Sequence, residues 1–123
     1  MKVLKLIICS LFGLMFINAG LNKFFMYLPV PEMSAELRQI NEAFATIKWL
    51  MPLIATVEII AGLLFIIPKT KALAAIMILP IMVGILLQHL IYAPEGLPIA
   101  IVLLLINSWI IIENRKIYLS LIS

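Results

Sequence analysis

Four apolar runs, each close to the length that crosses a bilayer, leave this chain few ways to fold. They fall at residues 6–27, 48–67, 72–92 and 97–112, and a helical span needs about 20 apolar residues, with a range of about 17–25. In lipid every backbone N–H and C=O must be satisfied within the segment, so runs of this kind are read as helices. The chain of 123 residues is 65% hydrophobic and 12% charged, with a mean hydropathy of +1.22. Soluble domains are about 45–50% apolar and about 25% charged. A chain so short cannot hide this much apolar surface in a water-facing globule, so lipid is its expected solvent. The expectation is one domain over residues 1–123. Its fold class is an all-α membrane protein, a bundle of four transmembrane helices, with an amphipathic interfacial helix between the first and second.

That additional helix is read at residues 33–47. Met33, Leu37, Ile40, Phe44 and Ile47 recur at spacings of three and four, while Glu36, Arg38, Gln39 and Glu42 fill the other face. This is the pattern of a helix lying in the interface. Pro29 and Pro31 stop the first span ahead of it, since the proline ring removes a donor and restricts the preceding residue. Pro98 suits the first turn of the fourth span. Lys2 and Lys5 before an apolar run also resemble a secretory signal. Ile17 and Asn22 flank the Ala19-Gly20 pair where a cleavage site wants small residues, so a retained helix is expected.

The charges orient the bundle. Lys2, Lys5, Lys69, Lys71, Arg115 and Lys116 fall on one side of four spans. The other side receives Glu32, Glu36, Arg38, Glu42 and Glu95, with Lys23 and Lys48 near its boundary and Tyr27, Trp49 and Tyr92 as an aromatic belt. Basic residues favour the cytoplasm, which predicts both termini inside and the amphipathic helix outside. The net charge of +3 is spread over span ends and forms no nucleic-acid-binding stripe. Nucleic acid is therefore not an expected partner; the lipid bilayer is.

Polar groups at membrane depth are costly without a partner and point to function. Glu58 lies about ten residues into the second span, near the midplane at about 1.5 Å per residue. Asn18 and Asn107 come out at a similar level, and Asn22, Lys23, Gln88 and His89 form a tier nearer the outer face. A charge at the centre costs about 2.5–3.5 kcal/mol or more to insert, so Glu58 should face the bundle. Two readings stand for it: a helix-to-helix hydrogen bond with Asn18 or Asn107, or a proton-handling or ligand-binding carboxyl. Lys23 either snorkels to the outer interface or aims inward at an anionic headgroup. His89 is an interfacial polar group or a proton-transfer and ligand residue. Ala55, Ala61 and Gly62 near Glu58 let neighbouring helices approach closely. Pro80 interrupts the third span and leaves the Ile76 carbonyl short of its donor, and Gly84 and Gln88 continue a narrow stripe that could line a cavity.

Cys9 is the single cysteine and His89 the single histidine. An internal disulfide, a CxxC pair, a thiolate cluster and an intrachain bis-histidine haem are thereby excluded, no covalent cofactor is expected, and no metal site is predicted. Cys9 reads as packing.

The stretch Asn18-Ala19-Gly20-Leu21-Asn22-Lys23-Phe24, followed by Pro29, resembles the G-x-x-K-F ending of the first helix in DoxX-type membrane proteins. Glu58-Ile59-Ile60-Ala61-Gly62-Leu63-Leu64 resembles that family's E-x-x-x-G-L-L pattern on the second helix. Pro80-Ile81 through His89-Leu90, then Pro94-x-Gly96, is similar to its third helix and following turn. The resemblance implies a four-helix bundle in the bacterial cytoplasmic (inner) membrane. The family's namesake is similar to the small subunit of a thiosulfate:quinone oxidoreductase, and other members are tied to redox and oxidative-stress complexes. It implies an accessory subunit for a soluble or membrane redox partner, with quinone as candidate ligand and Lys23, Glu58 and His89 as candidate pocket residues. Self-association into a homo-oligomer stays open. So do two other readings, a small transporter or channel-like protein using the polar tiers as a path, and a structural or assembly protein without a ligand.

Overall fold

The computed structural model describes residues 2–27 and 34–122. Six helices carry these residues: α1 (Lys2–Phe25), α2 (Ala35–Thr46), α3 (Leu50–Ile66), α4 (Lys71–Tyr92), α5 (Leu97–Glu113) and α6 (Arg115–Leu119). Single 3₁₀ turns, Pro68–Thr70 and Pro94–Gly96, join α3 to α4 and α4 to α5. The described chain is all-α, and the expected spans differ from α1, α3, α4 and α5 by a few residues at their ends. Pro29, Pro31, Glu32 and Met33 lie outside the described residues.

The helix ends follow from local chemistry. Met26, just past α1, has a φ of 52°, and its N–H donates to the Asn22 carbonyl at 2.7 Å. This left-handed residue closes α1 in the manner of an αL cap. Ser34 caps α2, its hydroxyl accepting from the Leu37 N–H at 3.1 Å. Leu37, Ile40 and Phe44 are the part-buried positions of α2, so its apolar stripe is the side that meets the bundle. Across the break at Ile47–Trp49, α2 and α3 are bent by 88°.

Three segments among the described residues are long and apolar enough to cross a membrane: Lys2–Phe25, Pro68–Tyr92 and Pro94–Glu113. The 17 residues of α3 are as apolar but shorter, and that helix meets the same criteria only together with α2. Within an 18-residue apolar stretch of each, only 28%, 22% and 17% of the residues are buried. Leu11, Leu63, Ile99 and Leu105 are each more than half exposed on the bundle's outer surface. Apolar surface of this extent belongs in lipid, and the protein is a multi-pass membrane protein.

The four long helices alternate in direction. At the end carrying the chain termini, Lys5 on α1 pairs with Glu113 on α5 at 2.6 Å. At the same end the Tyr118 hydroxyl of α6 donates to the Ala72 carbonyl of α4 at 2.6 Å. The core sits in the half nearer these ends. There Phe12 meets Phe16 and Phe65 edge-on, with centroids 5.0 Å apart in each pair. Cys9, Ala61, Ala74, Ala75, Ile78, Met82 and Ile110 complete it. Small residues bring α1 against α3: a Cβ added to Gly62 would stand 2.5 Å from the Gly13 carbonyl oxygen, and one on Gly20 would stand 2.7 Å from that of Ala55.

Candidate functional site

The close approach of α1 and α3 sets the site. Side chains on a helix lean toward its N-terminus. Because α1 and α3 run in opposite directions, Lys23 leans into the bundle while Glu58 leans toward the end from which Lys23 comes. They meet: Lys23 Nζ lies 2.6 Å from Glu58 Oε1. The Glu58 side chain is 3% exposed and that of Lys23 28%. Apart from this ammonium, Glu58 Oε1 has no hydrogen-bond partner among the described residues. Lys23 turns inward, but onto Glu58, a partner that neither reading of it had named. The hydrogen bond from Glu58 to Asn18 or Asn107 does not form.

Beside the pair is an open cavity of about 430 Å³ lined by residues of α1, α2, α3 and α4. The reason it exists is on α4. In the half nearer the chain termini, Ala74, Ala75 and Ile78 pack solidly into the core. Further along, Pro80 and Gly84 present little side chain, and a Cβ built on Gly84 meets nothing within 4 Å. The stripe of Pro80, Gly84 and Gln88 lines the cavity as expected, and His89 joins it. Ile54, Ile81 and Ile85 form its apolar wall.

His89 is held in a fixed orientation. Its Nδ1 lies 2.9 Å from the Ile85 carbonyl oxygen, which only accepts, so Nδ1 carries the proton. Nε2 is left as the ring's second nitrogen. Gly96, in the turn after α4, packs on Cδ2 and Nε2 of the ring, where any larger residue would strike the imidazole.

The cavity thus gathers Lys23, Glu58, Gln88 and His89 of the candidate residues and leaves out Asn18, Asn22 and Asn107. Asn18 is exposed on the outer face of α1, where the Tyr27 hydroxyl donates to its side chain and its carbonyl. Asn22 is part-buried next to Lys23 and outside the cavity wall. Asn107 is fully buried and fastens α5 to α4, Nδ2 donating to the Ala75 carbonyl at 3.1 Å. Its level on α5 is similar to that of Glu58, but α5 contributes nothing to the cavity wall.

From sequence alone, none of the apolar wall was placed at the site, nor were Asn41 and Phe44, with which α2 covers the cavity. The signal was present for Asn41. It stands at i+4 from Leu37 and i−3 from Phe44, a polar residue on the stripe that faces the bundle. Among the described residues no group of three or more His, Cys, Asp or Glu side chains is placed to hold a metal.

A comparison with known protein families matches the DoxX family model over residues 4–90. That interval runs from the first turn of α1 to the end of α4 and contains Lys23, Glu58, Gln88 and His89. No curated protein and no solved structure matches the chain. With most of its length matched, the chain belongs to the DoxX family.

Proposed function

We propose that this protein crosses the bacterial cytoplasmic membrane four times, termini inside, and binds an amphiphilic redox molecule of quinone type as the membrane subunit of a larger redox system. The observation that carries the reading is the cavity of about 430 Å³, with isoleucine walls and a polar side of Lys23, Glu58, Gln88 and His89. Small-molecule sites of about 300–1,000 Å³ are mostly apolar with a few placed polar groups, and this cavity has that character. The 17 residues of α3 stand at the lower limit of a span. Lys2, Lys5, Lys69, Lys71, Arg115 and Lys116 at the end carrying the termini support the orientation.

The residues fit a quinone. Its two carbonyl oxygens accept hydrogen bonds, and its ring and isoprenoid tail need an apolar channel. Lys23 and Gln88 are donors at the cavity wall, while Gly84 leaves room for a flat ring. When bound, a quinone would supply two-electron redox chemistry. The chain's own part is to admit the ring from lipid, orient it with Lys23 and Gln88, exclude water through α2, and keep proton-exchanging groups, Glu58 and His89, beside it. Electrons would come from a partner subunit, soluble or membrane-bound.

The test is binding of a short-chain ubiquinone or menaquinone analogue to the purified protein in nanodiscs, read by thermal shift. Gly84→Leu fills the cavity from a position whose Cβ is unobstructed, so it should keep the fold and abolish the shift. An equal shift in wild type and Gly84→Leu, or none in wild type with or without a co-purified partner, refutes the reading.

A further inference from the structure

A second cavity lies at the opposite end of the bundle, where the chain termini are, and the site described above leaves it unused. Its volume is about 470 Å³, and it opens between α1, the end of α3 and the turn into α4. Three lysines converge on it, Lys2, Lys5 and Lys71, over an apolar floor that includes Leu6, Phe65 and Pro68. Lys5 is already matched by Glu113 at 2.6 Å. Lys2 and Lys71 make no ion pair with a described residue. The local field is positive for a further reason. Lys71 is the first residue of α4, and no side chain caps the N–H groups there, so the positive end of that helix faces the same place.

We infer that this cavity holds the headgroup of an anionic phospholipid, its phosphodiester between Lys2 and Lys71 and its first methylenes along Leu6, Phe65 and Pro68. Three observations select a lipid. The cavity sits at the ends of membrane-spanning helices, the depth of the headgroup layer. Its floor is apolar, which a free ion does not require. Its cationic rim has more positive than negative side chains. Basic pockets between helices at a membrane face are where acidic headgroups bind.

The experiment titrates the full-length purified chain in mild detergent with phosphatidylglycerol, phosphatidylcholine or inorganic phosphate. Retained lipid is read by native mass spectrometry and stabilisation by thermal shift. Phosphatidylglycerol should bind and raise Tm, while phosphatidylcholine and phosphate should do neither at equal concentration. A lysine near an acidic headgroup contributes about fivefold in affinity. Lys2→Gln with Lys71→Gln should therefore weaken phosphatidylglycerol binding about thirtyfold, and Lys71→Arg should retain it. The control Lys69→Gln with Lys116→Gln removes the same charge from exposed positions outside the cavity and should change affinity by less than about threefold. If the double variant loses its lipid-free Tm, the exposed single Lys2→Gln is used, with about a fivefold loss expected. Equal losses in cavity and control variants, or equal binding of phosphatidylcholine, overturn the proposal. A Lys2- and Lys71-dependent response to phosphate alone overturns it in favour of a free-anion site.

Discussion

Replacing Lys23 by methionine keeps the length of the side chain and removes its charge, leaving Glu58 with no cation nearby. Glu58 is 3% exposed at the side chain and its Oε1 has no other partner among the described residues, so the protein offers little to replace the ammonium. Removing one partner of a buried pair costs about 3–5 kcal/mol. Lys23 is 28% exposed, so water already screens part of the interaction, and the expected cost is near the lower limit, about 3 kcal/mol. The reverse change is milder. With Glu58→Leu, Lys23 stands two residues from the end of α1 and can turn its ammonium outward to the interface, so the cost should be about 1 kcal/mol. The double variant buries neither charge and should cost no more than about 1 kcal/mol, which makes the coupling about 3 kcal/mol. The assay is reversible unfolding in mixed micelles, followed by circular dichroism, on all four corners of the cycle. Additive losses, or a Lys23→Met variant within about 0.5 kcal/mol of wild type, would refute the account of the pair.

Three other outcomes are expected. Gly84→Ala should raise stability by about 0.5–1 kcal/mol in the same assay, because a helical glycine is replaced where a Cβ meets no atom within 4 Å. Gly62→Val should prevent folding, seen as loss of monodisperse protein on size exclusion, because its Cβ would stand 2.5 Å from the Gly13 carbonyl oxygen in the tightest helix contact. Burial pushes the Tyr118 phenol above its ordinary value of about 10. The folded state then holds that proton longer than the unfolded state, so its stabilising share is complete below about pH 10 and is lost as pH rises through the folded pKa. Tyr118→Phe should remove this alkaline loss from the pH profile of Tm. It should also cost about 1 kcal/mol at neutral pH through the missing hydrogen bond to Ala72.

The four apolar runs and the amphipathic stripe were legible because they depend on local physics. Apolar length, proline stops and a period near 3.6 specify helices whichever neighbour each helix finds. Glu58, Lys23, Gln88 and His89 were legible as candidates for a related reason: a polar group at membrane depth is costly wherever it lies, so its presence can be read from position alone. Pairing was different. Depth placed Asn18, Glu58 and Asn107 at one level, but depth carries no information about which way each faces around its helix. Asn18 faces outward and Asn107 faces Ala75. Glu58 meets Lys23 because Gly13, Gly20 and Gly62 let two antiparallel helices come close enough for their oppositely leaning side chains to touch. The cavity needed the same tertiary information. Gly84 opens it only because the rest of α4 is held against α3 and α5, and Asn41 and Phe44 cover it only because α2 turns through 88° before α3 begins. The sequence by itself determined a membrane-embedded helical chain and which polar residues had to be accounted for. The tertiary structure decided which of them meet, since contact between helices depends on rotation and close approach, which no single helix encodes.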